Sequence, residues 1–114
     1  MVDVDARQRA RRYAQERGLG CMANDTKWRE FFALIIPAHI PTAIKFVDWP
    51  EVFECKWLIV PTGDYIEAGA TGPRLFVFIE WISTDVTEPM RNAAAKVGLE
   101  CFVQDGKATV YGYR

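Results

Sequence analysis

The dipeptide Asp105-Gly106, flanked by alternating apolar residues, constrains this chain more than any other feature of it. A type I′ two-residue hairpin turn needs positive φ at both central positions, and Asp followed by Gly meets that requirement. Counting outward, Val103 faces Ala108 and Cys101 faces Val110, which gives the pair one buried face. Phe102, Thr109 and Tyr111 take the other. Such a hairpin must join a larger sheet and be covered on its apolar side.

The upstream chain supplies both. Residues 4–17 are strong helix formers with Ala6, Ala10, Tyr13 and Ala14 as a thin apolar stripe, and Gly18 and Gly20 stop the helix. A second helix starts at Asn24 or Asp25, places Trp28, Phe31, Phe32 and Ile35 at i, i+3, i+4 and i+7, and ends at Pro37. Strands are expected over 42–47, 52–60, 65–68 and 75–82. In the second of these, Phe53, Cys55, Trp57 and Ile59 share one face and Glu54 and Lys56 the other. Residues 75–82 are apolar on both faces except at Glu80, as in a central strand covered on two sides. Residues 61–64 and 69–73 read as a turn and a loop. A third helix opens on the capping-box pattern of Asp85 and Glu88, carries Met90, Ala93, Ala94 and Val97 on one face, and stops at Gly98.

Strands in sequential hairpins, without alternating βαβ units, predict an α+β fold. The expectation is a mostly antiparallel sheet of five to six strands with two or three helices packed on it. At 114 residues the chain is long enough for one core, so residues 22–114 read as a single domain and 1–21 as an N-terminal helical extension. An exposed hairpin edge such as Ala108 to Tyr113 could pair across a homodimer.

No apolar run approaches the ~20 residues of a membrane span. The charged start lacks the apolar core of a secretory signal, so cytoplasmic residence is expected. Cys21, Cys55 and Cys101 are odd in number and widely spaced, which suits neither a disulfide framework nor a zinc site. His39, the single histidine, lies in a proline-bounded turn with no partner that would make a nucleophile of a nearby group. The glycines at 18 and 20 and at 69 and 72 lack the spacing and lysine of a phosphate loop. Nothing calls for a cofactor or a metal, and the sequence does not read as an enzyme.

Asn24, Asp25, Thr26, Lys27 and Trp28 at a helix start, Ile79 to Ile82 in a strand, and the closing Val110 to Tyr113 form three short motifs. In these the chain resembles a family of small bacterial proteins of unknown function, over residues 24–114. The resemblance implies a bacterial origin and brings no catalytic residue with it. By association, small proteins of this kind are often immunity or antitoxin factors.

The charge pattern bears on partners. Between Asp48 and Glu88 stand eight acids against two bases, Lys56 and Arg74, interleaved with aromatic residues. Clustered carboxylates steer cations, and aromatic side chains anchor interfaces. Asp48, Trp49, Glu51, Glu54, Trp57, Asp64, Tyr65, Glu67 and Glu80 are therefore the candidate partner-binding residues. If their strands are neighbours, Glu54, Glu67 and Glu80 share one face. The leading expectation is a protein-binding protein, an immunity- or antitoxin-type inhibitor whose acidic, aromatic face occludes a basic, nuclease-like toxin. One alternative is a nucleic-acid-binding or regulatory accessory protein using the stripe of Arg7, Arg9, Arg11, Arg12 and Arg17. Another is a small-ligand domain or enzyme with a pocket lined by Trp49, Trp57 and Trp81.

Overall fold

The computed structural model describes residues 4–56, 58, 63–67 and 72–114, the side chain of Val4 excepted. Its helices are α1 (Val4–Glu16), α2 (Asp25–Ile35) and α3 (Thr87–Val97). Its strands are β1 (Thr42–Phe46), β2 (Val52–Cys55), β3 (Tyr65–Glu67), β4 (Pro73–Leu75), β5 (Ile79–Thr84), β6 (Cys101–Gln104) and β7 (Lys107–Tyr111). A five-stranded sheet runs β2-β1-β5-β7-β6 with every pairing antiparallel, and β3 and β4 form a small sheet of their own. This is an α+β fold.

The hairpin forms in the expected register, Val103 opposite Ala108 and Cys101 opposite Val110. Asp105 and Gly106 take φ of 53° and 77°, as the turn requires. Cross-strand pairing then extends one row over the sheet, from Phe53 through Ile44, Ile82 and Val110 to Cys101. That row meets Trp28, Phe31, Phe32 and Ile35 of α2 and Met90, Ala93 and Ala94 of α3 in one core. The helix layer is held by cues local to the chain. The Asn24 side chain accepts from the Lys27 N–H at 2.9 Å at the start of α2. Gly98 ends α3 in the left-handed region at φ 76°. At the start of α3, the Asp85–Glu88 box does not form: Val86 is the cap residue, and its N–H donates to the Thr84 hydroxyl.

The expected unbroken strand over 75–82 is two elements. β4 ends at Leu75, a 3-10 turn takes Phe76–Phe78, and β5 begins at Ile79. With an unbroken period of two, Phe76, Phe78, Glu80 and Ile82 would share a face and set a carboxylate in the apolar layer. The turn and a register shift opposite Lys45 and Phe46 break that period. Phe76 and Phe78 stay buried, while Glu80 meets cations. Of the strand expected over 52–60, β2 covers the start; Trp57 and residues 59–62 lie outside the described residues.

The N-terminal segment shares the core. Ala6, Ala10 and Ala14, at i, i+4 and i+8, are at most 2 % exposed and let α1 lie close against the 3-10 turn. Tyr13, expected in that stripe, is exposed. The linker is stitched to the chain's end: Gly20 and Arg114 exchange backbone hydrogen bonds at 2.9 and 2.8 Å, and Met22 N–H donates to Gly112 O at 2.8 Å. β7 lies between β5 and β6, so Ala108 to Tyr113 is no free edge; the sheet's edges are β2 and β6.

Candidate functional site

The connection between β1 and β2 carries the most organised cluster of exposed side chains. Trp49 N–H donates to Phe46 O at 3.1 Å and closes a four-residue turn, and Val47 N–H anchors it to Phe78 O at 2.7 Å. Pro50 biases Trp49 away from helical backbone. Below the turn, the Lys45 ammonium donates to Trp49 O at 3.0 Å, Phe46 O at 3.2 Å and Glu80 Oε1 at 3.0 Å. Glu80 also accepts both arms of the Arg17 guanidinium, so a charged network runs from the end of α1 to the Trp49 turn. Burial pushes the Glu80 carboxyl up, but its hydrogen bonds to Arg17 and Lys45 outweigh that and hold it below the usual carboxylate range. The Arg17 guanidinium is pushed up in turn, chiefly by its hydrogen bond to Glu80.

On the solvent side, Trp49 is 40 % exposed and packs edge-on against Phe53 with ring centres 5.7 Å apart. Val52 is 47 % exposed, and Glu51 and Glu54 stand exposed beside it. Neither glutamate has an ion pair among the described residues. A half-exposed indole in the turn, with these two exposed carboxylates nearby in sequence, is a feature suited to meeting a basic surface.

The expected broad acidic face is not assembled. Asp48 is bound by Arg74, Asp64 by Arg29, and Glu80, 6 % exposed, by Arg17 and Lys45. Glu54 lies on β2, Glu67 on β3 of the separate small sheet, and Glu80 at the register shift of β5, so these three do not share a sheet face. Repulsion among aligned carboxylates is avoided by separation and internal cations. Tyr65 is exposed on β3, and Trp57 lies outside the described residues. Of the expected set, Trp49, Glu51 and Glu54 stay exposed in the turn and on β2, with Glu54 on the opposite strand face from the Phe53 ring that Trp49 meets, while Asp48 and Glu80 are held by internal cations.

The arginine stripe is partly engaged within the molecule. Arg7 pairs with Asp25, Arg17 with Glu80, and Arg9 lies over the Phe78 ring at 5.8 Å; Arg11 and Arg12 are exposed. Open grooves of about 560 and 400 Å³ lie at α3 and at the β1–β5 end of the sheet, and neither Trp49 nor Trp81 lines them. All three cysteines are free thiols; burial pushes Cys55 and Cys101 up, away from the reactive thiolate. No cluster of three metal-ligating side chains occurs among the described residues, and no described helix is long and apolar enough to cross a membrane.

The features that sequence reasoning missed are Arg74 and Lys45. Their signal is faint, since a lone base in an acidic stretch reads as a solvated charge until its neighbours are known. Comparison with family models, with curated proteins and with solved structures gives no match for this chain.

Proposed function

We propose that this chain acts by binding a basic protein, with Trp49 as anchor and Glu51 and Glu54 as steering charges on the β2 edge. The observation that carries this reading is the 40 % exposure of an indole whose turn is fixed from behind by Lys45. Interfaces use large aromatic residues of this kind as anchors. The inhibitor form of this reading, an immunity or antitoxin factor for a nuclease-like toxin, comes from the sequence resemblance. Phosphate mimicry by a broad acidic face has lost its support, because Asp48, Asp64 and Glu80 are neutralised internally.

The test is a double charge reversal, Glu51→Lys with Glu54→Lys, measured by stopped-flow association with the basic partner that accompanies the native protein. The expected result is an association rate about tenfold slower at low salt, with a flattened salt dependence. Trp49→Ala should instead raise the dissociation rate. An association rate and salt slope unchanged by the reversal would refute the reading.

A further inference from the structure

Arg74 does more than neutralise Asp48. Its guanidinium carbon lies 4.5 Å from the centre of the Phe46 ring, 5.2 Å from that of Phe78 and 5.5 Å from that of Trp49. All three are within the ~6 Å at which an aromatic face attracts a cation. Rings and the Asp48 carboxylate together form a box shaped for a planar cation. Phe46 and Phe78 are buried and fixed, and Trp49 is its solvent-facing wall.

The pairing inside the box is incomplete. Arg74 Nη2 donates to Asp48 Oδ2, while Asp48 Oδ1 and Arg74 Nη1 are buried without a partner. A guanidinium meeting a carboxylate fork to fork satisfies both oxygens. Arg74 is held by its backbone in β4, paired opposite Ile66 of β3, and from there brings only one arm to bear. The box therefore holds an unsatisfied acceptor that a guanidinium arriving from another direction would complete.

We infer that this box is the receiving site for an arginine side chain of the partner, masked in the free chain by Arg74. The inference rests on the protein-binding reading above and commits it to one contact. Glu51 and Glu54 draw a basic surface to the turn, an arginine of that surface enters beside Trp49, and Arg74 swings out to solvent. Arginine is specified over lysine because stacking on rings and a forked match to a carboxylate belong to a planar guanidinium. Arg74, tethered in place, competes at an effective concentration of about millimolar or above. An arginine presented with neighbouring contacts overcomes that competition, and an isolated one must be supplied in excess. The mask thus turns a general cation site into a selective one.

The Trp49 indole N–H signal in a proton–nitrogen NMR spectrum, identified by its loss in Trp49→Phe, reads occupancy. The probe is arginine capped at both ends, with capped lysine for comparison. Arg74→Ala empties the box, and the arginine probe should move the signal at a concentration about tenfold or more below that needed in wild type. Capped lysine should leave it in place, and adding Asp48→Asn should abolish the response. No movement in Arg74→Ala, or an equal response to lysine, overturns the proposal. So does a wild-type signal that stays fixed up to the highest probe concentration at which the amide spectrum is still that of the folded protein, because Arg74 would then seal the box permanently. Uncapped arginine binding about tenfold tighter than the capped probe also overturns it, pointing to a free amino acid as ligand. Should Arg74→Ala not fold, Arg74→Gln replaces it and the wild-type titration decides alone. No partner enters this experiment, so its failure leaves the Glu51 and Glu54 test standing.

Discussion

Gly112, just past β7, packs its backbone close against the start of β5, and replacing it with alanine measures how much the fold depends on that approach. A Cβ placed there meets the Ile79 carbonyl oxygen at 2.1 Å, its carbon at 3.2 Å and the Trp28 ring at 3.1 Å. Ordinary contact begins at 3.4 Å, so the two backbones must part by more than an ångström. They would part where Gly112 N–H donates to Glu80 O at 2.7 Å and Tyr113 N–H donates to the same oxygen at 3.2 Å. Trp28 is 1 % exposed and locked among core side chains, so it offers no slack. Overpacking costs about 1–3 kcal/mol, and each weakened backbone hydrogen bond adds about 1 kcal/mol, for a total of about 3–5 kcal/mol. For a domain of this size that is a large share of a stability of about 5–15 kcal/mol. The melting temperature should fall by more than about 10 °C, and the urea midpoint should drop with an unchanged slope in far-UV circular dichroism. Gly18→Ala is the internal control: its φ of +72° imposes strain, but nothing lies within 4 Å, so it should cost about 1–2 kcal/mol. A Gly112→Ala protein within about 1 kcal/mol of wild type would show that the strands are not seated as described.

Two further predictions concern pH. Glu80 is held below its ordinary value of 4.5 in the folded protein, so its contribution is present at neutral pH and lost as pH falls through the carboxylate range below 4.5. Glu80→Gln should lower the urea midpoint at neutral pH and flatten that part of the acid limb; a limb parallel to wild type would remove Glu80 from the account. Tyr113 donates its hydroxyl proton to Val77 O at 2.6 Å, and its pKa is pushed from 10.0 up to about 12, burial being the largest cause. The folded chain keeps that proton where the unfolded chain loses it, so stability should decline as pH rises from 10 towards 12. Tyr113→Phe should erase that decline, measured by urea denaturation across the alkaline range, and cost about 1–3 kcal/mol at neutral pH.

How much of the candidate site was legible follows from where its parts lie in the chain. Trp49, Glu51 and Glu54 fall within six residues of one another and were recognisable together as an acidic, aromatic turn. The cations that select among the acids come from far away in sequence. Arg17 lies 63 residues from Glu80, Arg29 lies 35 from Asp64, and Arg74 lies 26 from Asp48. A composition window shows net charge, not pairing, and pairing is what separates exposed Glu51 from buried Glu80. The arginine stripe shows the same limit: which of its members stay solvated is decided only when Asp25 and Glu80 take Arg7 and Arg17 and the Phe78 ring lies under Arg9.

Local chemistry alone determined the Asp105-Gly106 hairpin and its register, the Asn24 cap, the apolar face of α2 and the glycine stop at Gly98. Each depends on residues a few positions apart, where turn geometry and helical period leave few choices. Only the tertiary structure decided that residues 75–82 break into two strands around a 3-10 turn, and that α1 is part of the core. It also decided that Arg74 fills a box of rings drawn from β1, the Trp49 turn and the 3-10 turn. α1 joins the core through its buried alanines, and for the other two the physical reason is shared. A buried charge is tolerable only where opposite charge and aromatic faces converge on it, and that convergence comes into being when distant segments pack.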